Sequence, residues 1–187
     1  GYKIDPDITI SGLYGHHPNG NLRGKKSDIW EGGHRVPLIV RWPEKIEGGH
    51  ETSELVGLND IFATVADILD VSLQKNMVLD SKSFAPVIFN KQEAKSRTNL
   101  VLTSHGGIHA IRENHWKYID GQGSGGISSG GGWGGAGYVL STDEPPGQLY
   151  NLEEDLKEQK NLYNDYPELV EKLKARLYAI EHGYPME

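Results

Sequence analysis

The mostly apolar run Val36-Pro37-Leu38-Ile39-Val40-Arg41-Trp42 constrains this chain more than any other stretch. Its apolar residues do not alternate with polar ones. It therefore reads as a strand largely buried on both faces, as in a parallel sheet covered by helices. Pro37 is tolerable near the start of such a strand, and Pro43 ends it. A polar loop with Gly48-Gly49 follows. Asn59 is then a good N-cap, and Ile61, Phe62, Val65, Ile68 and Leu69 mark one face of a helix. Strand, loop and helix in that order predict an α/β layered core, ending near residue 72.

The character then changes. Thr98–Ser104, Ile108–Arg112 and His115–Ile119 are short, β-like and separated by tight Gly or Asn turns, which predicts an antiparallel meander. Gln148–Leu152 reads as a further strand. Residues 121–137 between them are too Gly-rich for a helix or an interior strand. The last helix is expected over 166–182. Asp165 is placed to cap it, Pro167 suits the first turn, and Glu168 completes a capping-box spacing. Leu169, Leu173, Leu177 and Ile180 line one face, and Gly183 supplies the stop. The expected organisation is residues 1–72 as the end of an α/β core, opening on a long polar loop over 1–34. Residues 73–187 are then a small antiparallel sheet with a packed C-terminal helix.

The chain has 187 residues, 36% of them hydrophobic, and its 24 Gly mark it as globular but loop-rich. A formal charge of −7 argues against nucleic acid or an anionic membrane surface as a partner. There is no cysteine, so no disulfide, thiolate metal site or Cys nucleophile lies within these residues. No apolar run is long enough to span a membrane. The opening GYKIDPDITI lacks Met and the pattern of a signal peptide, and the chain is expected to be cut from something longer.

Arg23-Gly24-Lys25-Lys26-Ser27 puts adjacent cations on a loop just ahead of the apolar run. Ligands of α/β sheets tend to sit in loops at strand ends. A lysine there is a compact charge with three donors, suited to a sulfate or phosphate oxygen, and a fixed ammonium stabilises charge that develops during ester cleavage. A solvated surface pair is the plain alternative.

Lys26-Ser27-Asp28-Ile29-Trp30-Glu31-Gly32-Gly33-His34-Arg35-Val36-Pro37 resembles the sulfatase pattern Lys-x-x-x-(Trp/Tyr)-Glu-Gly-Gly-x-Arg-x-Pro. Arg41-Trp42-Pro43, Asn59-Asp60-Ile61-Phe62-Ala63-Thr64 and Asp80-Ser81-Lys82-Ser83-Phe84 follow in the order of that family. So do Ala110-Ile111-Arg112, Trp116-Lys117-Tyr118 and Gln148-Leu149-Tyr150-Asn151-Leu152. The resemblance implies the C-terminal portion of a formylglycine-dependent, arylsulfatase-like enzyme with an alkaline-phosphatase-like α/β core. It implies hydrolysis of a sulfate ester, on a sulfated carbohydrate or an aryl sulfate, in an extracellular, periplasmic or lysosomal setting. By this register Lys26 aligns with the active-site lysine that contacts sulfate. The residue before it is commonly Gly in the family and is Lys25 here, which leaves Lys25 as the alternative.

The same resemblance implies a formylglycine nucleophile and a calcium ion whose Asp and Asn ligands lie outside this chain, because no Cys/Ser-x-(Pro/Ala)-x-Arg motif occurs in it. Asp5 and Asp7 read as loop residues, and no metal ligand is assigned here. His105, in the turn Thr103-Ser104-His105-Gly106-Gly107, is the expected substrate contact. His105 and His109 are four apart, which pairs ligands only on a helix, so no metal site is read there. His16-His17 read as a polar loop near the substrate or in solvent, and His34 as structural. Arg35 reads as a salt bridge or as a buttress of the loop. Trp133 is a candidate for stacking on a sugar ring. Two other readings stay open: a phosphodiesterase or phosphonate hydrolase of the same superfamily, and a non-catalytic glycan-binding fragment.

Overall fold

The computed structural model describes residues 14–74, 77, 80–90, 96–129 and 140–183. The chain divides into two compact units. One comprises Gly1–Arg35, Leu102–Ile111 and His115–Glu187, and the other comprises Val36–Val101 with Arg112–Asn114.

The meander forms as its turn signals predict. Strands β1 (Asn99–Thr103), β2 (His109–Glu113), β3 (Trp116–Ile119) and β4 (Gln148–Asn151) make one sheet in the order β1-β2-β3-β4. Asn114, at φ 54°, turns β2 into β3, a left-handed conformation that Asn tolerates better than most residues. β3 and β4 run antiparallel with Trp116 opposite Asn151 and Tyr118 opposite Leu149. Ile29, Trp30, Ala110, Ile119, Tyr150 and Leu152 form the core of the first unit. The motif residues Ile29 and Trp30 are thus core residues, which fixes the loop that carries them.

The C-terminal helix spans Pro167–Glu181 and packs against β3. Val170, Leu173 and Leu177 are buried, while Leu169 and Ile180 are only half-buried. The expected cap is displaced. Tyr166 holds the N-cap position without a side-chain bond, and Asp165 instead pairs with Lys160 at the surface. Pro167 explains this, because it disfavours helical backbone in the residue before it and so starts the helix one position late for Asp165. Gly183 ends the helix at φ 67°, as read from the sequence.

One expectation about the second unit is corrected. Residues 36–42 belong to no strand, and Val36, Leu38, Ile39 and Val40 are exposed, Ile39 by 88%. A central strand needs neighbours on both edges and layers on both faces, and the described residues supply neither. The helix forms at Asp60–Ile68 but buries Asp60, Thr64 and Ala66, leaving Ile61, Phe62, Val65 and Leu69 exposed. Polar bonds anchor the covered face. Asp60 accepts the N–H groups of Gly57 (2.7 Å) and Lys82 (2.9 Å) and the Nε of Arg97 (2.9 Å). Thr64 accepts the N–H of Phe84 at 3.0 Å. Asn59 has helical backbone and makes no cap bond; its amide donates to Asp80 O.

Candidate active site

The motif loop folds back on itself. The N–H of Gly32 donates to Arg23 O and that of Gly33 to Trp30 O, both at 2.8 Å. A Cβ on Gly32 would lie 2.4 Å from Gly24 O, and one on Gly33 would lie 2.1 Å from Asp28 O. The Gly-Gly pair is therefore required by close backbone approach. Lys25 and Lys26 stand exposed at the tip of this closed loop.

Its base is held by buried charge. Lys117 Nζ lies 3.0 Å from Glu31 Oε1 and 2.9 Å from Glu158 Oε1, and none of the three side chains is more than 4% exposed. Glu158 also accepts the N–H of Glu31 at 2.6 Å, and Arg35 pairs with Glu31 Oε2 at 2.8 Å. Arg35 thus makes its salt bridge within this chain. Burial pushes the Glu158 carboxyl above the usual range, against the pull of the Lys117 ammonium. Arg23 covers the side of the loop, 3.7 Å above the Trp30 ring centre, and donates to Tyr150 OH (3.0 Å) and Glu158 O (2.7 Å). Tyr150 and Trp30 both donate to Gln148 Oε1, at 2.8 and 2.9 Å. Burial raises the Tyr150 phenol to about 12, so it remains a donor at neutral pH.

The tip is held by two other segments. From the turn after β1, the N–H of His105 donates to Ser27 O at 3.0 Å. From the start of the Gly-rich segment, Ile127 N–H donates to Ser27 Oγ (3.2 Å) and Ser128 N–H to Asp28 Oδ1 (3.1 Å). Ser128 Oγ donates to Asp28 Oδ2 at 2.5 Å, and Ile29 N–H to Ser124 O at 2.8 Å. Fully buried Asp28 also accepts the N–H of Lys25, at 2.8 Å. Gly106 N–H completes the junction on Gly125 O at 2.7 Å.

The fold therefore brings the segments of Lys26 and His105 together. His105 is exposed on a turn bonded to the residue after Lys26. The other histidines fall elsewhere: His16 and His17 are exposed, and His109 is paired with Glu181. His34 is half-buried within the motif. Burial, then the Lys117 charge, lower its pKa. Trp133, Asp5 and Asp7 lie outside the described residues. Among the described residues no group of three or more His, Asp or Glu is arranged to hold a metal ion. Sequence reasoning missed Glu158 and Ser128, and quoted Arg23, Asp28 and Lys117 only as parts of motifs. One usable signal was Lys117 itself, a lysine within a short strand that reads as buried.

These bonds fix the base and flanks of the loop that carries Lys25 and Lys26, so its backbone is ordered without a ligand. Residues 25–119 match the family model described as "N-sulphoglucosamine sulphohydrolase, C-terminal". The chain is similar to an N-acetylgalactosamine-6-O-sulfatase of Bacteroides thetaiotaomicron, 32% identical over 94% of this chain and 33% of that protein. It is also similar to human steryl-sulfatase, 33% identical over 57% of this chain and 18% of that protein. A solved Bacteroides thetaiotaomicron structure from work on the metabolism of multiple glycosaminoglycans superposes with a TM-score of 0.76. It is 29% identical over 92% of this chain and 34% of its own. A Pseudoalteromonas sulfatase shares the fold, with a TM-score of 0.64 at 24% identity over 88% of this chain and 33% of its own. The chain thus spans about a third or less of the length of these relatives. On the match over residues 25–119, which runs from the Glu-Gly-Gly loop through strand β3, the chain belongs to the N-sulphoglucosamine sulphohydrolase C-terminal family and is the C-terminal portion of a sulfatase.

Proposed function

We propose that the protein bearing this chain hydrolyses sulfate esters, with a sulfated carbohydrate as substrate. Lys26 is its sulfate-contacting lysine, and His105 contacts the substrate. The observation that carries this reading is the junction at Ser27: one carbonyl ties the Lys26 loop to the His105 turn. A fixed ammonium on the sulfate oxygens stabilises charge as the ester bond breaks. The carbohydrate preference draws on the similarity to the N-acetylgalactosamine-6-O-sulfatase.

The described residues of this chain offer no calcium site, and no step is assigned to the metal here. Formylglycine and calcium belong, in this reading, to the part of the enzyme outside this chain, where they supply the nucleophile and hold sulfate oxygens. The exposed apolar residues of 36–40 and of the helix Asp60–Ile68 are the surface that this part covers. The compartment is extracellular, periplasmic or lysosomal. No helix among the described residues is long and apolar enough to cross a membrane.

The test is an assay of the full-length enzyme on 6-O-sulfated N-acetylgalactosamine, an aryl sulfate, and a phosphonate ester. Sulfate release from the first two at rates well above phosphonate cleavage is expected. Preference for the phosphonate would overturn the sulfatase reading, and preference for the aryl sulfate would overturn only the carbohydrate one.

A further inference from the structure

Ser27 stands directly after Lys26 at φ 84°, left-handed backbone that is uncommon for any residue but glycine. Such a conformation is strained and persists only where the surroundings over-determine it. Here they do. Its carbonyl accepts from the His105 N–H at 3.0 Å, and its hydroxyl accepts from the Ile127 N–H at 3.2 Å. A Cβ on Gly126 would lie 2.5 Å from the same carbonyl, so the Gly-rich segment closes on Ser27 from a third direction. Fully buried Asp28 fixes the following residue, through Ser128 on one side and the Lys25 N–H on the other.

We propose that Ser27 is the positioning residue of the site: its strained backbone, clamped by the His105 turn and the segment beginning at Ser124, aims the Lys26 side chain. This rests on the reading of Lys26 as the sulfate-contacting lysine. If the hydroxyl clamp is removed, the residue relaxes towards negative φ and Lys26 swings off its line. Alanine keeps the strain and loses the hydroxyl's part of the clamp, the bond from Ile127 N–H. Glycine also loses that bond, but it has no strain to relax, because positive φ is unhindered without a Cβ. Glycine should therefore retain more activity than alanine, although it removes more of the side chain.

The experiment uses the full-length enzyme with Ser27→Ala, Ser27→Gly, Lys26→Ala and the double variant Lys26→Ala/Ser27→Ala, with rates corrected for folded fraction. Ser27→Ala is expected to lower kcat about tenfold with KM changed less than about twofold, the pattern of an interaction made in the transition state. Ser27→Gly is expected to recover at least half of that loss on a logarithmic scale. In the Lys26→Ala background, Ser27→Ala should change kcat by less than about twofold, because the group being aimed is gone. Equal effects of Ser27→Ala in both backgrounds, or an Ala variant as active as the Gly one, would overturn the positioning role and leave the Lys26 reading standing. A Lys26→Ala variant with normal turnover would overturn both.

Discussion

Lys117 Nζ lies 3.0 Å from Glu31 Oε1, although 86 residues separate the two in sequence. This pair, with Glu158 opposite, ties the Glu-Gly-Gly loop to strand β3. Loop and strand β3 thus form one support for whatever the loop presents.

Removing one partner of a buried pair leaves an uncompensated charge, at a cost of about 3–5 kcal/mol. Lys117→Met in the full-length enzyme is therefore expected to lower unfolding free energy by about that amount. Adding Glu158→Gln should recover part of it, because Glu31 keeps Arg35 while the Glu158 carboxylate that Lys117 paired is then neutral. A denaturant melt of the single and double variants measures this coupling. Independent, additive losses would show that the pair is not a unit.

Asp60 and Arg97 do the same work in the second unit, with side chains at most 1% exposed. Asp60→Ala leaves the buried Arg97 guanidinium with the exposed Asp80 carboxylate, at 3.7 Å, as counter-charge and strands the N–H groups of Gly57 and Lys82. A loss of about 3–5 kcal/mol is expected in the melt. Turnover per folded enzyme should be unchanged, because Asp60 anchors the helix Asp60–Ile68 to Gly57, Lys82 and Arg97 of its own unit.

Much of this architecture is legible in the sequence, and the reasons are local. Strands β1 to β4 are short β-prone runs between Gly or Asn turns, and Asn114 turns where a hairpin needs left-handed backbone. The C-terminal helix is marked by Pro167 and Gly183. Local signals failed where the outcome depends on distant groups. Asp165 looks like a cap until Pro167 moves the start to Tyr166. The helix Asp60–Ile68 is anchored through Asp60 by Arg97, 37 residues away, a partner that its apolar stripe does not announce. At the site, Lys26 and His105 were legible as candidates from the order of family motifs. Asp28 and Ser128 were not, because nothing in a sequence announces that residues 100 apart will bond.

Ile39 tests the account of the apolar surface. It is 88% exposed in this chain, and a surface substitution there alone would shift stability by no more than about 0.5 kcal/mol. If the rest of the enzyme covers residues 36–40, Ile39→Asp in the full-length protein buries an unpaired charge. A loss above about 3 kcal/mol, or failure to fold, is then expected. A melt within about 0.5 kcal/mol of the parent would show that nothing covers it.

His34 gives a pH dependence. Burial and the Lys117 charge lower its pKa below 6.5, so the folded state resists protonation that the unfolded state accepts. Its contribution is to make stability fall as pH drops through 6.5 towards the folded pKa, and to have no effect above that window. His34→Gln, which cannot titrate, should flatten the stability profile there in full-length enzyme. An unchanged slope would assign the acid sensitivity to other groups.

The central claim is that Lys26, and not Lys25, contacts the reacting sulfate. Steady-state turnover of a sulfate ester by full-length Lys26→Ala and Lys25→Ala measures it most directly. Loss of one transition-state contact predicts a fall in kcat of about a hundredfold or more for Lys26→Ala. Lys25→Ala should stay within a few-fold of the parent. The reverse pattern would place Lys25 in the site, and two fully active variants would contradict the assignment of this loop to the chemistry.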